Sequence, residues 1–302
     1  LGDYELSDVE KENLKKVAST FENTIVVLNV GGVIDTKFFE ETEGLDSLLL
    51  MGQGGQEGGN ALLDVVTGAV TPSGKLTDTW AENYSDYPAS ATFAKADGDS
   101  MKEWYKEGIY VGYRYFDTFG IKPAYEFGYG LSYTTFDWSN MQTTWSGDEC
   151  TVTVDVENTG DMAGKDVVEI YAQSPYTEYD KANGVEKASV QLVAYGKTSE
   201  LAPGEKETVT CTFSKEQLKA YDENGAETYI FDAGDYYITA AANAHAAINN
   251  ILAAKSEKPA QKAEFVSVYT PDNTDTDVTT YATDSYSGVT ITNQLQDCKA
   301  DV

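Results

Sequence analysis

Thr24-Ile-Val-Val-Leu-Asn-Val30, halted by Gly31-Gly32, and Leu45-Asp-Ser-Leu-Leu-Leu-Met51, halted by Gly52-Gln-Gly-Gly-Gln-Glu-Gly-Gly59, decide how the first part of this chain folds. Each is a short continuous apolar run, the pattern of a strand buried on both faces of a parallel sheet. A helix follows the second run from about Asn60 to Thr67, with Gly68 placed to end it. Strand, glycine turn, helix is the grammar of an α/β layer. Upstream, residues 7–21 predict an amphipathic helix. Ser7 and Glu10 have capping-box spacing, and Val9, Leu14, Val17 and Phe21 hold one face apolar. Downstream, Thr71-Pro-Ser-Gly-Lys75 is a turn and residues 81–100 read as a surface loop. Ile109-Tyr-Val-Gly-Tyr-Arg-Tyr-Phe-Asp117 reads as a strand, and the aromatic stretch Phe127–Phe136 is suited to wrap a corner between two bodies.

After about Asn140 the grammar changes. Cys150-Thr-Val-Thr-Val-Asp-Val-Glu-Asn158 alternates strictly; residues 167–172, 207–213 and 234–240 do so less cleanly. Turn clusters at 158–160, 202–204 and 224–225 separate them, which predicts an antiparallel sandwich. Cys150 and Cys211 fall in phase with its inward residues, so two buried thiols are expected, close neighbours if their strands pair. Residues 264–302 are rich in Asp and Thr and read as an extended acidic segment or weak strands. The expected division is an α/β layer over 1–139, a β-sandwich over 140–254 and an acidic Thr/Tyr-rich extension over 255–302.

The chain has 302 residues and a formal charge of −29, which leaves nothing to neutralise a row of phosphates; nucleic acid is excluded as a partner, and an anionic membrane surface with it. The longest apolar runs fall far short of the roughly 18 residues of a membrane helix. A single histidine, His245, rules out a multi-histidine metal site within the chain and has no obvious sequence partner. Neither metal nor cofactor is expected. Gly52–Gly59 follows a strand and opens a helix, but Glu57 stands where a dinucleotide fingerprint needs its third glycine. Gly68–Lys75 misses a P-loop by one residue of spacing, and Leu76 replaces the hydroxyl that would hold Mg²⁺. No Gly-x-Ser-x-Gly elbow is present.

Taken together, 24–32, 54–61 (Gly-Gly-Gln-Glu-Gly-Gly-Asn-Ala) and 72–76 (Pro-Ser-Gly-Lys-Leu) resemble the α/β-sandwich domain of family 3 glycoside hydrolases, the β-glucosidase type. Residues 107–117 and 127–136 are similar to the same family, and 148–243 resemble the fibronectin type III-like domain that follows in many members, Asn158-Thr-Gly160 and Leu201-Ala-Pro-Gly-Glu205 included. The resemblance implies a partial α/β sandwich, with a mostly parallel sheet, followed by a fibronectin III-like sandwich. It also implies an enzyme acting with retention on terminal β-linked glycosides, through a nucleophile in a (β/α)₈-type barrel and an acid/base glutamate upstream of Gly2. Neither carboxylate lies in these residues, so no catalytic residue is assigned and the chain alone is expected to be inactive.

The chain opens on Leu1-Gly-Asp3 without Met, as a piece of a longer polypeptide would. A permuted parent is expected, with 255–302 leading toward the barrel. Missing strands are expected to leave an unpaired sheet edge and exposed apolar faces. Gln56 and Glu57, at a strand's carboxyl end where open α/β sheets place their sites, are the candidate pocket-wall residues, with the alternative that Glu57 caps its own helix. Arg114 and Asp117 are expected to pair at the contact between domains. A second function remains open, a non-catalytic carbohydrate-binding or interaction module using Trp104, Tyr105, Trp138 and Trp145; the same rings could instead glue two domains together.

Overall fold

The computed structural model describes residues 4–95, 98, 101–102, 104–256, 263–277 and 286–290. Helix α1 (Asp8–Ala18) starts where the sequence signals it: the Ser7 hydroxyl accepts from the Glu10 amide, and the Ser7 amide donates to the Glu10 carboxylate at 2.8 Å. Strand β1 (Ile25–Leu28) is joined through the short helix α2 (Lys37–Glu41) to β2 (Ser47–Leu50), and the strands pair in parallel from Ile25↔Ser47 to Leu28↔Leu50. Helix α3 (Gly58–Val66) follows the glycine turn, and Gly68, at φ +75°, lies just beyond its end. Leu28, Phe38 and Trp80 form the small core of this layer, with Leu14, Val26 and Leu48 packed against them.

The expectation that both strands are buried on two faces is corrected. Ile25 is 46% and Leu50 41% exposed, because the described parallel sheet has only two strands and its apolar surface exceeds what α1, α2 and Trp80 cover. A second pair is antiparallel, β3 (Trp80–Ala81) with β4 (Pro123–Tyr125).

The expected strand at 109–117 is also corrected. The structure holds helix α4 (Tyr113–Phe119), entered through Gly112 at φ +53° and closed by Gly120 at φ +67°. Strand-like composition yields here to contacts at helical spacing. Tyr113 and Asp117 reach the β-sandwich and its following helix, whereas Tyr115 and Phe119 meet each other with centroids 5.2 Å apart. Phe116, 1% exposed, meets the Tyr87 ring with centroids 5.8 Å apart.

The second body is a β-sandwich. Strands β5 (Phe136–Ser146), β6 (Glu149–Asn158), β7 (Val167–Gln173), β8 (Gln191–Lys197), β9 (Lys206–Ser214), β10 (Ala220–Asp222), β11 (Thr228–Phe231), β12 (Tyr236–Ala241), β13 (Val266–Tyr269) and β14 (Asp275–Thr276) build it, with α5 (Glu178–Asn183) and α6 (Ala244–Lys255) inserted. The sheet β5-β6-β9 faces the sheet β13-β12-β7-β8, while β10-β11-β14 forms a third, smaller one. The alternation of β6 sends Cys150, Val152, Val154 and Val156 fully inside. Cys211 lies opposite Val152 and Cys150 opposite Phe213; both thiols are free, and burial pushes Cys150 up to about 12.

Part of the tail belongs to this body. Phe265 enters the core, β13 pairs with β12, and Tyr269 stacks on Trp145 with centroids 4.3 Å apart. Residues 257–262, 278–285 and 291–302 of the expected extension lie outside the described residues, Cys298 among them.

Across the outer face of the four-stranded sheet a further cluster forms. Tyr171, Val190, Ala241, Ala247 and Ile251 pack there with Tyr113 and Phe127, so α4 and the 127–136 corner join the two bodies.

Candidate functional site

Three features could serve chemistry: the rim at the carboxyl ends of β1 and β2, the cavity beside it, and the junction between the bodies. The rim is built from glycines because two loops meet there. A Cβ on Gly31 would come within 3.0 Å of the Gln53 side-chain nitrogen. One on Gly54 would lie 2.8 Å from the Gly58 Cα, so glycine lets the turn close onto α3. Gln56 and Glu57 are both exposed on this loop. Glu57 occupies the position before α3 but makes no cap to a backbone amide; its carboxylate accepts from the Asn60 side chain at 2.6 Å.

Beside the rim, the β1–β2 pair borders a cavity of about 490 Å³ whose lining includes Ile25, Leu50, Val66, Leu131 and Tyr133. Asp46 is the one carboxyl on its wall, and it accepts from the Thr24 amide at 2.7 Å. Sugar cleavage by two carboxyl groups needs both in one hollow, about 5–5.5 Å apart for retention. This cavity lacks that pair. Among the described residues no group of three or more His, Cys, Asp or Glu could hold a metal ion, and no helix is long and apolar enough to cross a membrane.

The junction is polar at one edge. The Lys75 ammonium donates to the Gly130 carbonyl at 3.0 Å and lies 3.6 Å from Asp166, whose other oxygen accepts from the Trp138 indole. Leu76 and the 128–129 segment exchange backbone hydrogen bonds at 2.8 Å. The turn that superficially resembled a phosphate loop is thus a docking element. Asp117 pairs with His245 at 3.0 Å rather than with Arg114 as the sequence suggested, and His245 thereby has a partner the sequence did not show. The two residues are 128 positions apart. Burial raises the Asp117 carboxyl and His245 opposes that rise.

Of the four aromatics considered for sugar stacking, Trp138 and Trp145 pack against the sandwich core, whereas Trp104 is 48% and Tyr105 88% exposed.

Residues 1–113 match the glycosyl hydrolase family 3 C-terminal domain and residues 166–244 the fibronectin type III-like domain. Among curated relatives, a β-glucosidase of Ruminococcus albus is 38% identical over 251 residues, covering 82% of this chain and 25% of its own length. β-Glucosidase A of Butyrivibrio fibrisolvens is 38% identical over 257 residues, covering 78% and 30%. The fold is similar to β-glucosidase 3B from Thermotoga neapolitana, solved with α-D-glucose, at a TM-score of 0.76 and 34% identity over 91% of this chain and 35% of that one. The chain therefore spans about a quarter to a third of the relatives it matches.

Proposed function

The chain belongs to glycoside hydrolase family 3, and from that membership we propose that it is the scaffold portion of a retaining β-glucosidase-type enzyme. The substrate class is a terminal β-linked glycoside or oligosaccharide. Bond cleavage passes through a covalent glycosyl-enzyme formed by one carboxylate and completed by a second acting as acid and then base. Both carboxylates belong to parts of the parent protein other than these residues, the nucleophile to a (β/α)₈-type barrel. No step calls for a metal or cofactor in this scheme.

The role of these residues is to build half of an α/β layer, tie it to the β-sandwich and present the carboxyl-end rim. Gln56 and Glu57 line or buttress one wall of the sugar pocket from that rim. The observation that carries the reading is the apolar surface this layer leaves open: Ile25 and Leu50, on opposite faces of the β1–β2 pair, and Val66 and Val70, at and beyond the end of α3, are each more than 40% exposed. Apolar surface of this kind is normally covered. The remaining strands of the α/β sandwich supply that cover, and the barrel then closes over the rim.

A chimaera tests this. In the Ruminococcus albus β-glucosidase, the segment matching this chain is replaced by residues 1–277 of this chain, which keep Phe265 and β13 in the sandwich. A folded chimaera is expected to hydrolyse an aryl β-glucoside, with Glu57→Ala or Gln56→Ala raising KM. A folded chimaera with no hydrolysis would overturn the assignment.

A further inference from the structure

The cavity beside β1 and β2 is accompanied by another hollow in the first body. A second cavity, about 410 Å³, lies between residues 88–92 and 104–119, within the roughly 300–1,000 Å³ typical of small-molecule sites. Four aromatic side chains border it: Trp104, Tyr110, Tyr115 and Phe119. Phe119 gathers two of the others, its ring centroid 5.0 Å from Tyr110 and 5.2 Å from Tyr115. Pro88, Ala89 and Ala91 provide a small-residue side that leaves the room. Three polar groups complete the lining: Thr92, Lys106 and Glu107.

We infer that this aromatic cavity is an accessory binding site for a neutral glycosyl unit, separate from the β1–β2 rim. The ring faces decide the shape of the ligand. Trp104 and Phe119 are 48% and 55% exposed, so part of each ring's surface stands open to solvent. A β-linked pyranose carries its axial C–H bonds on one flat face, which lies on such a ring, while its equatorial hydroxyls point outward to hydrogen-bonding groups.

Charge decides against the alternatives. Glu107 and the net charge of −29 disfavour an anionic ligand. The ammonium groups of Lys106 and Lys102 lie 5.4 and 5.8 Å from the Trp104 centroid, which disfavours a cationic one. One cation and one anion on the wall suit a neutral polyol, with Lys106 donating and Glu107 accepting.

The choice of a glucose disaccharide, cellobiose, as the probe rests on the function proposed above; the existence of the site does not. The 302-residue chain is titrated calorimetrically with cellobiose, and separately with choline and benzoate. Saturable binding of cellobiose is expected, weakened at least about tenfold by Trp104→Ala and within about threefold of wild type in Trp104→Phe, which keeps a ring. Both variants are expected to retain the wild-type unfolding temperature, since Trp104 is half exposed. Binding of another neutral disaccharide in place of cellobiose keeps the site and overturns the glucose choice. Lack of any saturable sugar binding, sugar binding undiminished in a folded Trp104→Ala, or a preference for choline or benzoate overturns the proposal. Those results leave the chimaera experiment untouched, because that one reads hydrolysis and not binding here.

Discussion

The Tyr171 hydroxyl donates to the Glu169 carboxylate at 2.6 Å, two residues along the same face of β7 and buried where the two bodies meet. Burial raises the Glu169 carboxyl from its ordinary 4.5 to about 7, against the opposing pull of Tyr171 and Lys75. A carboxyl raised in the folded state binds its proton more tightly there than in the unfolded chain. Its stabilising contribution is therefore complete below about pH 4.5 and lost as the pH rises through about 7. At roughly 1.4 kcal/mol per pH unit the displacement corresponds to about 3 kcal/mol. Glu169→Gln, which mimics the protonated acid, is expected to raise the melting temperature at pH 8 and leave it nearly unchanged at pH 4.5. An equal shift at both pH values would contradict this origin.

Gly128 faces the same carboxylate. A Cβ there would stand 2.5 Å from a Glu169 oxygen and 2.9 Å from the Ala242 carbonyl, at a φ of +89°. Neither the backbone nor the buried acid can yield cheaply, so Gly128→Ala is expected to cost at least about 2 kcal/mol. Urea unfolding measures the loss; a neutral substitution would mean that the two bodies do not close on this glycine.

Asn158 is a hub at the end of β6, fully buried. Its amide nitrogen donates to the Met162 and Leu201 carbonyls, both at 2.8 Å, and its oxygen accepts from the Thr134 hydroxyl and the Gly160 amide. Asn158→Ala leaves four groups without this partner, and the expected destabilisation is about 3 kcal/mol. Chemical denaturation reads it, and a change under about 1 kcal/mol would show that water takes over the bonds.

Lys187 lies between Asp180 and Asp232 at 2.7 and 2.6 Å, all three side chains buried. Lys187→Met leaves two carboxylates without their cation, at an expected cost of about 3–5 kcal/mol. The loss should shrink in the triple variant that also carries Asp180→Asn and Asp232→Asn. Equal stability of the single and triple variants would show that charge is not what the lysine supplies.

Local signals in the sequence carried far. The capping box at Ser7 and Glu10, the inward phase of Cys150 and Cys211, and the apolar runs that became β1 and β2 all rest on neighbouring residues, and each is realised. Helix α4 was illegible because 109–117 has the composition of a strand, and only contacts of Tyr113 and Asp117 with the other body favour helical spacing. Asp117 with His245 and Lys187 with Asp232 were hidden for a related reason: the partners are 128 and 45 positions apart, with no motif joining them. At the candidate site, periodicity could place Gln56 and Glu57 at a strand's carboxyl end. It could not show what they face, since a pocket wall is defined by the body opposite.

Incubating the purified 302-residue chain with p-nitrophenyl β-D-glucoside tests the division of labour between scaffold and bond-breaking groups most directly. The expected release of p-nitrophenol equals that of buffer. Turnover above buffer, abolished by replacing a single carboxylate of this chain, would contradict the assignment of both catalytic acids to the rest of the enzyme.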